Sequence, residues 1–496
     1  MKTPFFLLLL APLALGQGPL LPPGAPAPSM RSLAQIEPRV DLATLPGDAT
    51  HQHVITAAGS YYLSGNLEVW APGGVRIQSS DVTLDLQGFC IRRSSGTGGS
   101  GIEIAPAVSR VAIGNGGISG FEHGVKASGS GSSLVFRRLR FALCATRAIL
   151  ASSNPGCRVS DCSVSNGGGI SVGPGSIIGR CRLAGVNAAG GSVVYGSAGS
   201  VLQGITIVSS SADSGIFVNE GSTLRDCTIQ NSTFAAAAVH GAKGCAIHGC
   251  LVAGNSTAHG ILVNDNGLVK ECIVRANTSS ATSYGIGTGP HSTIEDCIAD
   301  GNTMTYGIHS SEGSALRNCS ATRNTFSAAG SSGIQVYGNC ALTGCHALGN
   351  LNTSGSGSAS DGVGIMAASG GNTIRDCVAT GNQGHGIHCS GGSNLLTGNS
   401  CANNGAGGAL AAGILLAGNG SRLEGNHTNG GPRGIWISGS GNLASRNSVA
   451  GATTAYIVTS GNACLVVAAA VTSSSLSGSS GGVASGTTDP WANLSY

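Results

Sequence analysis

Residues 292–324, STIEDCIADGNTMTYGIHSSEGSALRNCSATRN, state one phrase and then begin it again. STIEDC, ending at Cys297, returns 22 residues later as SALRNC, ending at Cys319; Asn302 and Asn324 each follow their cysteine by five places, and Gly307-Ile308 lies between. Working outward, the small/β-branched pair recurs at Gly101-Ile102, Gly124-Val125, Ala148-Ile149, Gly169-Ile170, Gly215-Ile216, Gly260-Ile261, Gly285-Ile286, Gly307-Ile308, Gly333-Ile334, Gly364-Ile365, Gly386-Ile387, Gly413-Ile414 and Gly434-Ile435. Weaker pairs at Ser192-Val193, Ala238-Val239 and Ala455-Tyr456 fill the gaps. Steps run from 21 to 27 residues, except 31 from Gly333 to Gly364. A fixed period of this size is the signature of a solenoid.

Each repeat carries three short strand signals separated by Gly, Ser and Asn turns, and helical periodicity is absent. This predicts an all-β, single-stranded parallel β-helix (solenoid) of about 15–17 rungs of about 23 residues. The leucine-rich-repeat phrase is missing. In each Gly-Ile pair the glycine is expected to make a corner and the isoleucine to fill the core. Cys162, Cys181, Cys227, Cys250, Cys272, Cys297, Cys319, Cys345 and Cys377 fall in one inward column, interrupted by Ile205 and continued by Asn399, Asn426 and Asn447. Five residues on runs a second ladder, Asn255, Asn277, Asn302, Asn324, Asn350, Asn382 and Asn404. Stacked amides can hydrogen-bond from rung to rung.

The opening ITAAGSYYLSGNL (55–67) and VTLDLQGFCI (82–91), the Gly-Ile/Asp-Cys/Gly-Asn rungs and the closing DPWANLSY (489–496) resemble secreted bacterial right-handed parallel β-helix repeat proteins of the pectate lyase-like superfamily. The resemblance spans essentially the whole mature chain. It implies the fold and no particular reaction.

Lys2 and the apolar run from Phe5 to Leu15 read as a signal peptide (1–16) cleaved near Gly16–Gln17, which predicts a secreted, extracellular or periplasmic protein. A Pro-rich linker and lead-in (17–49), a β-helix (50–460, with cap rungs 50–91) and a C-terminal cap (461–496), with Trp491 as a lid, complete the expected organisation. No later stretch has the roughly twenty apolar residues of a membrane-spanning helix. With 9% charged residues and a formal charge of +3, nothing points to nucleic acid. Aromatics at 4% leave few platforms for sugar rings, and the chain is expected to be a monomer.

Seventeen cysteines in an exported chain invite disulfides. Nine stand in one column, with Cβ atoms about a strand spacing apart, too far for an S–S bond. They read as buried thiols. Cys157/Cys162, Cys245/Cys250 and Cys340/Cys345 leave a bridge across a corner open. No spacing suggests zinc, and no cofactor is identified.

The outward column after each Gly-Ile is where enzymes on this fold usually work; read in that register it includes Val194, and its single carboxylate is Glu103. A glycosidase needs two. Asp265 and Glu312, two rungs or about 10 Å apart, with His309 nearby, are the catalytic candidates; Glu220 precedes them in the same column. Gly384-His385-Gly386 lacks the companion phrases of a polygalacturonase. The conspicuous charge is basic: between Arg76 and Arg182, eleven arginines and Lys126 face five acids, a local balance of +7. Arg137, Arg138, Arg140, Arg180 and Arg182 are the candidate ligand-binding residues, with forks suited to an anionic polysaccharide. Asp161, between Arg138 and Arg180, makes a poor Ca²⁺ site. The expected function is therefore a structural or glycan-binding β-helix at the cell surface or matrix. The competing reading is a polysaccharide lyase or glycoside hydrolase acting on acidic glycans.

Overall fold

The computed structural model describes residues 39–468, apart from positions 94, 97, 356, 357, 407 and 409, together with residues 475–478 and 489–496. The expected signal peptide, its cleavage point and most of the linker lie outside the described residues. Within them the chain is a parallel β-solenoid. One sheet takes one strand from each turn, 19 in all, from His51–Ile55 to Ser475–Gly478. The other takes two short strands per turn, such as Thr293–Glu295 and Ile298–Asp300. Rungs stack in register, Ile294 on Leu316 and Ile308 on Ile334. The count exceeds the expected 15–17 because His51–Ile55 and Ser475–Gly478 form rungs without a Gly-Ile pair, and because Gly73–Ile77 carries one further pair, Gly74-Val75, 27 residues before Gly101-Ile102.

Three corners join the strands of a typical rung, and each is built the same way. A residue with positive φ turns the chain, and the next residue points inward: Asp296 (φ 53°) before Cys297, Gly301 (φ 60°) before Asn302, Gly313 (φ 66°) before Ser314. Where the inward residue is Asn or Ser, its side chain supplies an acceptor for a backbone N–H that the corner has turned into the core. At the second corner the Asn302 amide donates to Asn324 Oδ1 and the Asn324 amide to Asn350 Oδ1, at 3.1 and 3.2 Å. This relay runs from Asn255 to Asn404, and Ser210 and Ser232 start it.

The first corner holds the cysteine column. Each thiol donates back to the carbonyl two residues before it, at 3.2–3.6 Å. From Cys377 onward the column changes chemistry, with its amide donating to Asn399 Oδ1 and the relay passing through Asn426 and Asn447 to Asn493. A third ladder was not anticipated. It includes Cys157 on Ser176, Ser200 on Ser222, Ser292 on Ser314, and Cys340 on Asn372, Asn394, Ser421, Asn442 and Asn462.

All seventeen cysteines are free thiols. The third corner explains why the C-x4-C pairs do not bridge: Cys157 and Cys162 sit at opposite ends of the strand Arg158–Ser160. Five extended residues span roughly 15 Å, far beyond disulfide reach. Burial pushes the Cys144 and Cys389 thiols up to about 12, so they remain protonated.

The Gly-Ile glycines do not make corners, contrary to expectation. They lie within strands, as Gly285 and Gly307 do in Tyr284–Thr288 and Tyr306–Ser310. A Cβ on Gly285 would stand 2.5 Å from the Gly307 carbonyl oxygen, and one on Gly307 2.6 Å from that of Gly333. They are glycine because successive rungs approach too closely there for a side chain. One pair is also displaced. Val194, not Val193, stacks on Ile170, so Tyr195 points outward and Val194 is buried. Gly190 and Gly191 lie where the register shifts between Ala188 and Ser192. At the far end Trp491, the expected lid, is 51% exposed and packs under the Arg446 guanidinium at 4.0 Å. The strand after it, Asn493–Ser495, pairs with both Ser448–Ala450 and Val466–Ala468 and completes the first-corner ladder.

Asn324→Ala removes the acceptor for the buried Asn302 amide and should destabilise the fold by about 3 kcal/mol in urea unfolding; a loss under 0.5 kcal/mol would show that the ladder is incidental. In unreduced protein, thiol titration should find seventeen thiols after unfolding and at most the half-buried Cys90 before it. Fewer than seventeen after unfolding would contradict the free-thiol ladder.

Candidate functional site

Three surfaces hold the candidate residues. The first is the arginine face. Strand Val135–Ala142 displays Arg137, Arg138 and Arg140; the next rung adds Arg158, and the one after it Arg180 and Arg182. Arg140, Ser163 and Arg182 form one outward column, as expected. Arg138, Asp161 and Arg180 are left-handed corner residues. Arg180 forks onto both oxygens of Asp161 at 2.7 and 2.9 Å, and this holds the carboxyl below its usual range. With both oxygens engaged, Asp161 has little left for Ca²⁺. Among the described residues Arg137, Arg158 and Arg182 have no carboxylate within 4 Å, and Arg140 reaches only the Gly88 carbonyl.

The second surface is the outward face of the 19-stranded sheet. Its first rungs hold a closed ion cluster: His51 lies 3.6 Å from Glu103 and 3.9 Å from Asp48, and Arg76 reaches both acids. Glu103, the one carboxylate expected in this column, is thus occupied. Farther along, the face becomes a ladder of neutral rings. Tyr195 stacks on Phe217 at 5.7 Å, His259 on Tyr284 at 4.7 Å, and Tyr284 on His309 at 4.3 Å. Five of the chain's twenty Phe, Trp and Tyr residues, Tyr195, Phe217, Tyr284, Tyr306 and Trp436, stand on this face. Half of this ladder escaped the sequence reading because it followed only the residue after Gly-Ile. The phrases His259-Gly-Ile, Tyr284-Gly-Ile and Tyr306-Gly-Ile announce a second outward column before the glycine.

The third surface is the turn that follows this sheet. Asp265, Pro290 and Glu312 succeed one another there, so the two acids are indeed two rungs apart. A concavity of about 530 Å³ opens beside them, lined by Pro290, Ser311, Glu312, Tyr337, Gly338, Asn339, Ser369 and Gly370. Of the three catalytic candidates only Glu312 lines it. His309 is 8% exposed within the ring ladder, where burial lowers its pKa to about 4. His385 of the Gly-His-Gly phrase is 2% exposed and accepts the Ala412 amide at 3.0 Å. No group of three metal-ligating side chains occurs among the described residues. No helix among them is long and apolar enough to cross a membrane.

Burial sets the pH response of this face. It lowers His259, His309 and His388 to about 4 and His385 to about 3, against about 6.5 in the unfolded chain. Below pH 6.5 the unfolded chain takes up protons that the folded one refuses, so stability present above that pH is lost as pH falls toward 4. The ceiling at pH 5 is roughly 2 kcal/mol per histidine. The urea midpoint should therefore be clearly lower at pH 5 than at pH 7.5; an equal or higher midpoint would contradict neutral buried imidazoles.

No curated protein matches this chain. Solved structures do. The chain is similar to the catalytic domain of a GH87 α-1,3-glucanase bound to tetrasaccharides (13% identity over 56% of this chain and 58% of that one, TM-score 0.35). It is also similar to the A-module of the Azotobacter vinelandii mannuronan C-5 epimerase AlgE6 (11%, 78% and 91%, 0.25). A tailspike protein of E. coli bacteriophage HK620 bound to a pentasaccharide is a third (12%, 83% and 81%, 0.29). This chain spans 58% of the glucanase domain it matches. The family model of the right handed beta helix region matches residues 175–352 and 332–493, and the chain belongs to that right-handed β-helix family.

Proposed function

We propose that this chain is a secreted β-solenoid of the cell surface or matrix that holds an anionic polysaccharide on its arginine face without transforming it. One observation carries the reading. On three successive rungs six guanidiniums, those of Arg137, Arg138, Arg140, Arg158, Arg180 and Arg182, accompany a single carboxylate, that of Asp161, and all six arginines are exposed. Arg140 and Arg182 stand two rungs, about 10 Å, apart on a regular sheet. A rigid row of planar forks suits carboxylates or sulfates repeating along a polymer. Exposed charges of this kind act through steering and local concentration, and salt screens them.

The competing reading, a lyase or hydrolase of acidic glycans, draws on Glu312 in its concavity. A two-carboxylate mechanism would need a second acid there, and Asp265 is outside the lining.

Retention on an immobilised polyuronate or sulfated polymer should fall steeply between about 0.05 and 0.5 M salt. Combined substitution of Arg137, Arg140 and Arg182 by alanine should abolish it, whereas Arg375→Ala on a distant rung should not. No reducing or unsaturated ends should appear during prolonged incubation. Retention independent of salt, or unchanged in the triple variant, would refute the binding reading, and release of such ends would favour the enzyme.

A further inference from the structure

Where strand Ser332–Val336 leaves the 19-stranded sheet, the chain turns through Tyr337, Gly338 and Asn339 and forms the middle of the 530 Å³ concavity. Four successive rungs contribute its walls, about 14 Å along the solenoid axis. That is room for one or two sugar rings. Its floor is bare at Gly338 and Gly370; a Cβ on Gly370 would strike the Gly392 carbonyl, so no side chain can fill it from below.

Tyr337 stands apart from the ladder beside it. Tyr284 in that ladder lies nearly parallel to its neighbours, 19° from His309, 21° from His259 and 27° from Tyr306, so its faces are covered. Tyr337 meets His309 edge-on at 72° and is 42% exposed. Its ring is therefore turned out of the stack and offers an aromatic face. Opposite in chemistry is Glu312, exposed and without a hydrogen-bond or ion-pair partner among the described residues. No Lys or Arg lines the concavity.

An aromatic face, one unpaired carboxylate, an unfilled glycine floor and no cation define a ligand that is flat, hydroxylated and not anionic. We propose that this concavity is a subsite for a pyranose ring carrying a free amine, with Tyr337 against the apolar face of the ring and Glu312 on the ammonium. Aromatic rings attract both the C–H face of a sugar and an adjacent ammonium, and a charge-assisted hydrogen bond to the carboxylate fixes the amine. This site lies on different rungs from the arginine face and selects the opposite charge, so each stands or falls alone.

The test is calorimetric titration of the full chain with a fully deacetylated glucosamine tetramer, its N-acetylated counterpart and a uronic acid tetramer. The deacetylated tetramer should bind at least about tenfold more tightly than the other two. Glu312→Gln should erase that preference, Tyr337→Ala should weaken binding by about tenfold, and Tyr337→Phe should retain it. The arginine triple variant should bind like the parent. Both residues are exposed turn positions, and unchanged thermal midpoints would show that the variants fold; should Tyr337→Ala fail to fold, Glu312→Gln decides alone. Absence of binding, equal binding of the N-acetylated tetramer, preference for the uronate, or a preference that survives Glu312→Gln would each overturn the assignment.

Discussion

A backbone N–H turned into a dry core must meet an acceptor, and in this solenoid the acceptor stands one rung away. Each corner needs a left-handed residue, and the residue after it is forced inward with its amide. Where that inward residue is Asn, its Oδ1 receives the amide of the preceding rung and its Nδ2 reaches a core carbonyl, as Asn324 does with Asn302 and Ala299. Serine does the same with a hydroxyl. Cysteine fills the place as a small hydrophobe whose thiol turns back to a carbonyl of its own rung. Three such columns hold the stacking register, and the strands between them need only bury Ile, Val and Leu.

That constraint explains what was legible. The cysteine column and the Asn255–Asn404 ladder repeat one residue type at a fixed offset, and both appear in the structure where the spacing places them. The third ladder mixes Cys, Ser, Gly and Asn, so no single residue type marks it. Its sign was the preceding left-handed residue, mostly Gly or Asn but His291 and Ser393 in two rungs, a backbone requirement rather than a side-chain one. The outermost rungs, His51–Ile55 and Ser475–Gly478, carry no Gly-Ile phrase, and only strand pairing makes them rungs. The displacement at Val194 came from two glycines that slip the register by one residue, which sends a valine in and a tyrosine out.

The functional surfaces were legible unevenly. The arginine columns follow directly from the stacking arithmetic, and Arg140, Ser163 and Arg182 align as expected. The pairing of Arg180 with Asp161 reduces the free positive charge without removing it. The ring ladder was underestimated because a 4% aromatic content says nothing of where the rings stand. His309, read as a catalytic partner for the two acids, belongs to that ladder instead, and its burial leaves it uncharged at neutral pH. Outward positions are free of the corner constraint, so a basic face and an acidic, aromatic concavity can coexist on one scaffold.

The dependence of the whole fold on the corner relay is open to one direct measurement, native-state hydrogen exchange at the ladder amides of Asn277, Asn302 and Asn324. These turn amides should exchange as slowly as those of the flanking strands, through global or subglobal unfolding only. Exchange at the rate of exposed turns would show that the corners are not sealed by the ladder, and would contradict the account.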